Sequence, residues 1–121
     1  MAPGQDCHDP DMIGRGGLHD SLPWFRRTIR SAGLEQHVVA VVGDSQIVGS
    51  WWSTPLTFLF IDGAHDFFGV SADARLWAPH VSGFVAFHDA TIPDIGRVAS
   101  SLNGFELHAE AGCLRVLRCV S

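Results

Sequence analysis

The sequence contains no lysine and no tyrosine, and all eight of its basic residues are arginine. Two standard general bases are thereby removed, leaving histidine and carboxylates for any proton transfer. Basic runs are also missing. With a net charge of −5 and a pI near 5.7, the chain has no electrostatic footprint for nucleic acid or an anionic membrane. No apolar run reaches the roughly 18 residues a bilayer span requires. The opening residues, polar and rich in Gly and Asp, do not read as a signal peptide. The three cysteines (Cys7, Cys113, Cys119) are odd in number and lack CxxC spacing, so neither a disulfide framework nor a zinc knuckle is expected. Cys113 and Cys119 sit in an apolar stretch and read as small buried hydrophobes. The expected compartment is the reducing cytoplasm.

What is present is a hydrophobic share of 46% in 121 residues, enough for one packed domain. Residues 1–19 carry Gly, Pro and Asp clusters without hydrophobic period and read as an N-terminal loop; the domain proper is expected over 20–121. Asp20 and Ser21 supply a helix start with Pro23 just inside. Leu22, Phe25, Ile29 and Leu34 form its apolar stripe, and Gly33 marks its end. Three continuous apolar runs follow: Val38–Val42, Leu56–Ile61 and Phe84–Phe87. Each reads as a strand buried on both faces. A short helix is expected between the first two runs, and a longer one over Phe68–His80 between the second and third. A weaker helix is expected over Ile92–Asn103. The tail alternates from Phe105, turns at Ala111-Gly112 and returns through Val120, the pattern of a β-hairpin. Strand–helix alternation predicts an α/β fold with a mostly parallel sheet ending in an antiparallel hairpin.

Each apolar run stops at a polar cluster containing aspartate: Gly43-Asp44-Ser45, Asp62-Gly63-Ala64-His65-Asp66 and His88-Asp89. Asp or Ser at such a point can simply cap the following helix. In a parallel sheet, however, strand C-termini share one edge, and ligands bind outside it. Capping does not account for Asp62 and Asp89 with His65 and His88 beside them. Two carboxylates and an imidazole (Asp62, His88, Asp89) suit a hard or borderline divalent cation, and His65 is placed to act as a base or further ligand.

Phe58–His65 (FLFIDGAH), Ser71–His80 (SADARLWAPH) and Gly83–Asp89 (GFVAFHD) together resemble class I S-adenosylmethionine-dependent methyltransferases. The nearest likeness is to the branch of macrocin-type O-methyltransferases and cephalosporin hydroxylase relatives. Ala32–Ser45 fits as the strand whose end contacts adenine, and the likeness runs from about Leu18 to Arg118. It implies a Rossmann-like three-layer sandwich, S-adenosylmethionine as cofactor and a divalent metal, with Mg²⁺ expected. Asp44 and Ser45 would lie near the adenine and Asp62 near the transferable methyl. Asp9 would match the acid that grips the ribose. The metal ligands would be Asp62, His88 and Asp89; His65 and Asp62 would be the catalytic pair. The family's opening strand, GxGxG loop and helix have no counterpart, since Gly14–Gly17 follows no strand. The first strands of the fold are therefore expected to be missing, with activity impaired accordingly.

The expected function is a metal-assisted O-methyltransferase acting on a small molecule. Two rivals stand beside it: a non-catalytic remnant or interaction module, and a metal-dependent hydrolase using Asp62, His65, His88 and Asp89. With central strands missing, an apolar edge or face should stay uncovered and favour a homodimer.

Overall fold

The structure, a computed structural model, describes residues 20–63 and 65–121. The described residues fall into two compact units, 20–43 and 44–121. None of their helices is long and apolar enough to cross a membrane.

The smaller unit carries helix α1 (Leu22–Ser31). It begins as its sequence predicts: Asp20 Oδ1 accepts the Leu22 N–H at 3.0 Å, and a proline occupies the first turn. It ends on paired bonds, Leu34 N–H to Ile29 O and Gly33 N–H to Arg30 O, which satisfy carbonyls left open by the last turn. The expected strand Val38–Val42 is not a strand. Its residues have no ladder partner among the described residues, and Val39 is 84% exposed. β-Branched side chains favour a pleated, half-buried surface, but only a neighbouring backbone can turn that preference into a strand.

The larger unit is mixed α/β. Helix α2 (Ser45–Ser50) leads to strand β1 (Leu56–Ile61), then helix α3 (Phe67–Trp77) and a 3₁₀ turn (Ala78–His80). Strand β2 (Val81–Phe87), helix α4 (Pro93–Ser100) and the hairpin β3 (Phe105–Ala111) and β4 (Leu114–Cys119) complete it. α3 packs against both α2 and α4. The sheet is open, with order β1-β2-β4-β3. β1 and β2 are parallel, whereas β2–β4 and β3–β4 are antiparallel. The expectation of a mostly parallel sheet is thus corrected. The hairpin does lie at one edge, as expected, but it makes up two of the four strands, so both pairings beyond β2 are antiparallel.

The core comprises Ile61 of β1, Val70 and Ala74 of α3, Val85 and Phe87 of β2, Ile95 and Val98 of α4, Leu117 of β4 and their neighbours. β2, flanked on both sides, is buried on both faces from Val85 to Phe87. β1 departs from the expected two-sided burial. Among the described residues it is a sheet edge, with Phe58 55% and Phe60 49% exposed on one face, while Leu59 and Ile61 pack on the other. At Gly83 the two strands come too close for a side chain: a Cβ there would lie 2.3 Å from Thr57 O. Opposite-charge pairs, Glu106 with Arg118 and Glu110 with Arg115, tie the hairpin across its strands. Cys113 is buried but disulfide-bonded, against its expected role as a plain hydrophobe; Cys119 is a free thiol. Whether two thiols meet depends on Cα separation in space, which their spacing in the chain does not encode.

Candidate active site at the strand ends

The parallel β1/β2 register pairs Ile61 with Phe87, so the next residue of each strand, Asp62 and His88, emerges at the same level. One further ladder bond, His88 N–H to Ile61 O at 3.1 Å, holds the two ends together. His88 Nδ1 lies 3.1 Å from Asp62 Oδ1 and 3.2 Å from Asp89 Oδ2. His65, from the segment between β1 and α3, places Nε2 3.0 Å from the same Asp89 oxygen. The four residues singled out at two strand ends therefore meet as a continuous array.

Asp89 is its buried centre, 2% exposed, whereas the other three side chains are partly open to solvent. Its backbone is left-handed, φ 59°, a conformation that few residues other than glycine adopt and that Asp tolerates better than most. The turn it makes is held by Ile92 N–H to Asp89 O and by Ala90 N–H to Cys113 O. Strained backbone at a strand end next to buried charge is a common mark of functional sites.

Asp62, His88 and Asp89 each bring one donor atom to within 4.8 Å of the others. Two donors about 2.2 Å from one ion at a right angle stand about 3.1 Å apart, and His88 Nδ1 lies near that separation from each carboxylate. The O, N, O donor set also suits Mg²⁺, Mn²⁺ or Fe²⁺. The residues fit a divalent cation in both spacing and chemistry.

The remaining polar cluster, after Val38–Val42, takes other partners. Asp44 caps α2, its Oδ1 accepting the Gln46 N–H at 2.8 Å. Ser45 donates its hydroxyl to Asp73 Oδ1 at 2.7 Å, and Trp77 Nε1–H donates to Ser45 O at 3.0 Å. Asp73 and Trp77 lie one turn apart on α3, so one face of that helix grips Ser45 twice. Gly49 permits the approach, because a Cβ there would fall 2.7 Å from Trp77 Nε1. Beside this grip a cleft of about 270 Å³ opens, lined by Ser45, Phe60, Asp62, Gly63, Asp73 and Trp77 among others. Asp62 thus belongs both to the carboxylate–imidazole array and to the cleft wall. The cleft wall is mostly apolar, with Phe60 and Trp77 as its aromatic members. Asp9, expected at the ribose, lies outside the described residues.

Asp73 and Trp77 were not among the site residues expected from sequence. A signal existed: Asp73 stands three residues after Val70 and four before Trp77, inside the apolar stripe of its helix. An acid at an inward position requires a buried partner.

A family model described as a methyltransferase domain matches residues 6–90, more than half of the chain. The match spans the whole of β1, α3 and β2 and both polar clusters at their ends. The chain belongs to the methyltransferase domain family.

Proposed function

We propose that the protein is an S-adenosylmethionine-dependent O-methyltransferase of the macrocin-type branch, assisted by a divalent cation at Asp62, His88 and Asp89. The observation that carries this reading is the meeting of Asp62, His65, His88 and Asp89 at one sheet edge beside the cleft. Methyltransferase family membership supplies the reaction class. When bound, the adenosyl cofactor supplies an electrophilic sulfonium methyl, and the cation supplies acidity at the acceptor hydroxyl.

The chain's own residues do the rest. Ser45 and Asp44, at the start of α2, face the adenine end, and Asp62 stands between the cleft and the array, where the methyl would be presented. The Asp89 carboxylate, with Oδ2 3.0 Å from His65 Nε2, orients that ring. His65 is therefore the residue that takes the acceptor's proton as the oxygen attacks in line with the methyl. His88, between two carboxylates, holds the donor set together.

Calorimetric titration with Mn²⁺ and with S-adenosylhomocysteine tests the reading. Both should bind, and Asp62→Ala and Asp89→Ala should each weaken Mn²⁺ by at least about tenfold. Mn²⁺ binding that ignores both substitutions removes the metal assignment. Mn²⁺ binding without any adenosyl binding favours a metal-dependent hydrolase instead.

A further inference from the structure

A cavity of about 530 Å³ opens at the far end of β2 from the carboxylate–imidazole array. Val81, the first residue of that strand, lines it, whereas the array follows Phe87, the last. The length of β2 separates the two, roughly 20 Å by the rise of an extended strand. A small molecule held here is out of reach of the reacting atoms, so the cavity is distinct from the cleft and the array.

Ser71, Ala74, Arg75 and Ala78 recur at three and four residues, so one stripe of α3 and the turn after it borders the cavity. Two of these are alanines, whose small side chains leave the space that a leucine would fill. Val98 of α4, Leu102 just beyond it and Phe105 of β3 complete an apolar floor. An apolar body fits such a floor, and the volume lies in the range of small-ligand sites.

The charge at the cavity has one sign. Among the described residues no Asp or Glu lines it, although the chain carries a net charge of −5. Arg75 does line it, and its charge is unanswered. Residues 44–121 contain four arginines, of which Arg97, Arg115 and Arg118 pair with Asp94, Glu110 and Glu106. Arg75 makes no hydrogen bond or ion pair with any described residue. Its guanidinium is a planar fork of donors that matches a carboxylate, and Ser71 and Asn103 add neutral donors beside it.

We propose that this cavity binds a small molecule with an apolar body and a single carboxylate, the body resting on Ala74, Val98, Leu102 and Phe105 and the carboxylate on Arg75. The proposal stands apart from the methyl-transfer reading, which uses none of these residues.

The probes are octanoate and 1-octanol, which share a chain and differ in charge at neutral pH. Calorimetric titration of the whole chain should show octanoate binding more tightly by about fivefold or more, an advantage that shrinks as salt is raised. Arg75→Gln, at an exposed position, should fold as the wild type does and bring the two affinities together, while Arg75→Lys keeps part of the preference. Cys119, a free and half-buried thiol in the cavity wall, gives an independent readout. Octanoate should slow its alkylation by iodoacetamide, followed by the mass of the peptide that carries it. Equal affinities for the two probes in the wild type, or a preference that survives Arg75→Gln, overturn the proposal. So does octanoate binding that leaves Cys119 as reactive as before, because the probe then sits on another apolar face, such as that of Phe58 and Phe60. A wild type that does not bind octanoate overturns it outright.

Discussion

At the scale of single residues, two aspartates that follow apolar runs do different work. Asp44 is bonded to the Gln46 N–H and serves α2 as a cap. Because α2 has only six residues, that bond is a large part of what defines it. Asp44→Ala should lower stability by about 1 kcal/mol, seen as an earlier thermal transition. An unchanged transition would mean the packing of α2 on α3 alone sets its start. Asp89 has the opposite character, buried and left-handed. Asparagine tolerates the same backbone, so Asp89→Asn should fold while losing Mn²⁺ affinity, whereas Asp89→Val should be destabilised by the turn itself. Parallel loss of stability in both variants would locate the role of Asp89 in folding and not in ligand binding.

At the scale of elements, the site depends on the β1–β2 pairing. That register brings Asp62 and His88 to one level, and at Gly83 it leaves no room for a side chain. Gly83→Ala places a methyl against the Thr57 carbonyl and should cost about 1–3 kcal/mol, at the upper end because the obstacle is backbone. Chemical denaturation measures the loss. Since β1 must move to accommodate the methyl, metal affinity should fall with it. A variant as stable as the wild type would show that the strands are less closely apposed here. α3 is the second determining element. Its inner face serves the core through Val70 and Ala74 and the cleft through Asp73 and Trp77.

At the scale of the molecule, β1 is a sheet edge among the described residues, with no charge or proline in its six residues, and Phe58 and Phe60 are exposed on one face. Proteins commonly guard such edges with charges, prolines or bulges. Here the one irregularity lies in the β2 pairing, between Leu56 and Phe58. Association of two copies is the expected consequence, and sedimentation should show a species heavier than the monomer that grows with concentration. Phe58→Lys, which puts a charge on that edge away from the site residues, should shift the population to monomer. A wild type that stays monomeric at high concentration would contradict the proposal.

Sequence alone determined what depends on neighbours along the chain. The start of α1 at Asp20 and Pro23, the α3 segment, the closing hairpin and the halting of β1 and β2 at Asp62 and His88 follow from local chemistry: capping, period and turn residues. The gathering of Asp62, His88 and Asp89 was also legible, because a parallel pair aligns its strand ends. Tertiary structure decided everything that needs a partner from elsewhere. Among the described residues, Val38–Val42 has the composition of a strand and no ladder, and β1 reads as buried on both faces yet lies at an edge. β4 inserts beside β2 and reverses the sheet. The bond between Ser45 and Asp73 joins residues 28 apart, a separation that neither period nor capping can register. Strand pairing, burial and long-range hydrogen bonds are relations between segments. A one-dimensional pattern records which segments can enter such relations, and only the packed chain decides which of them do.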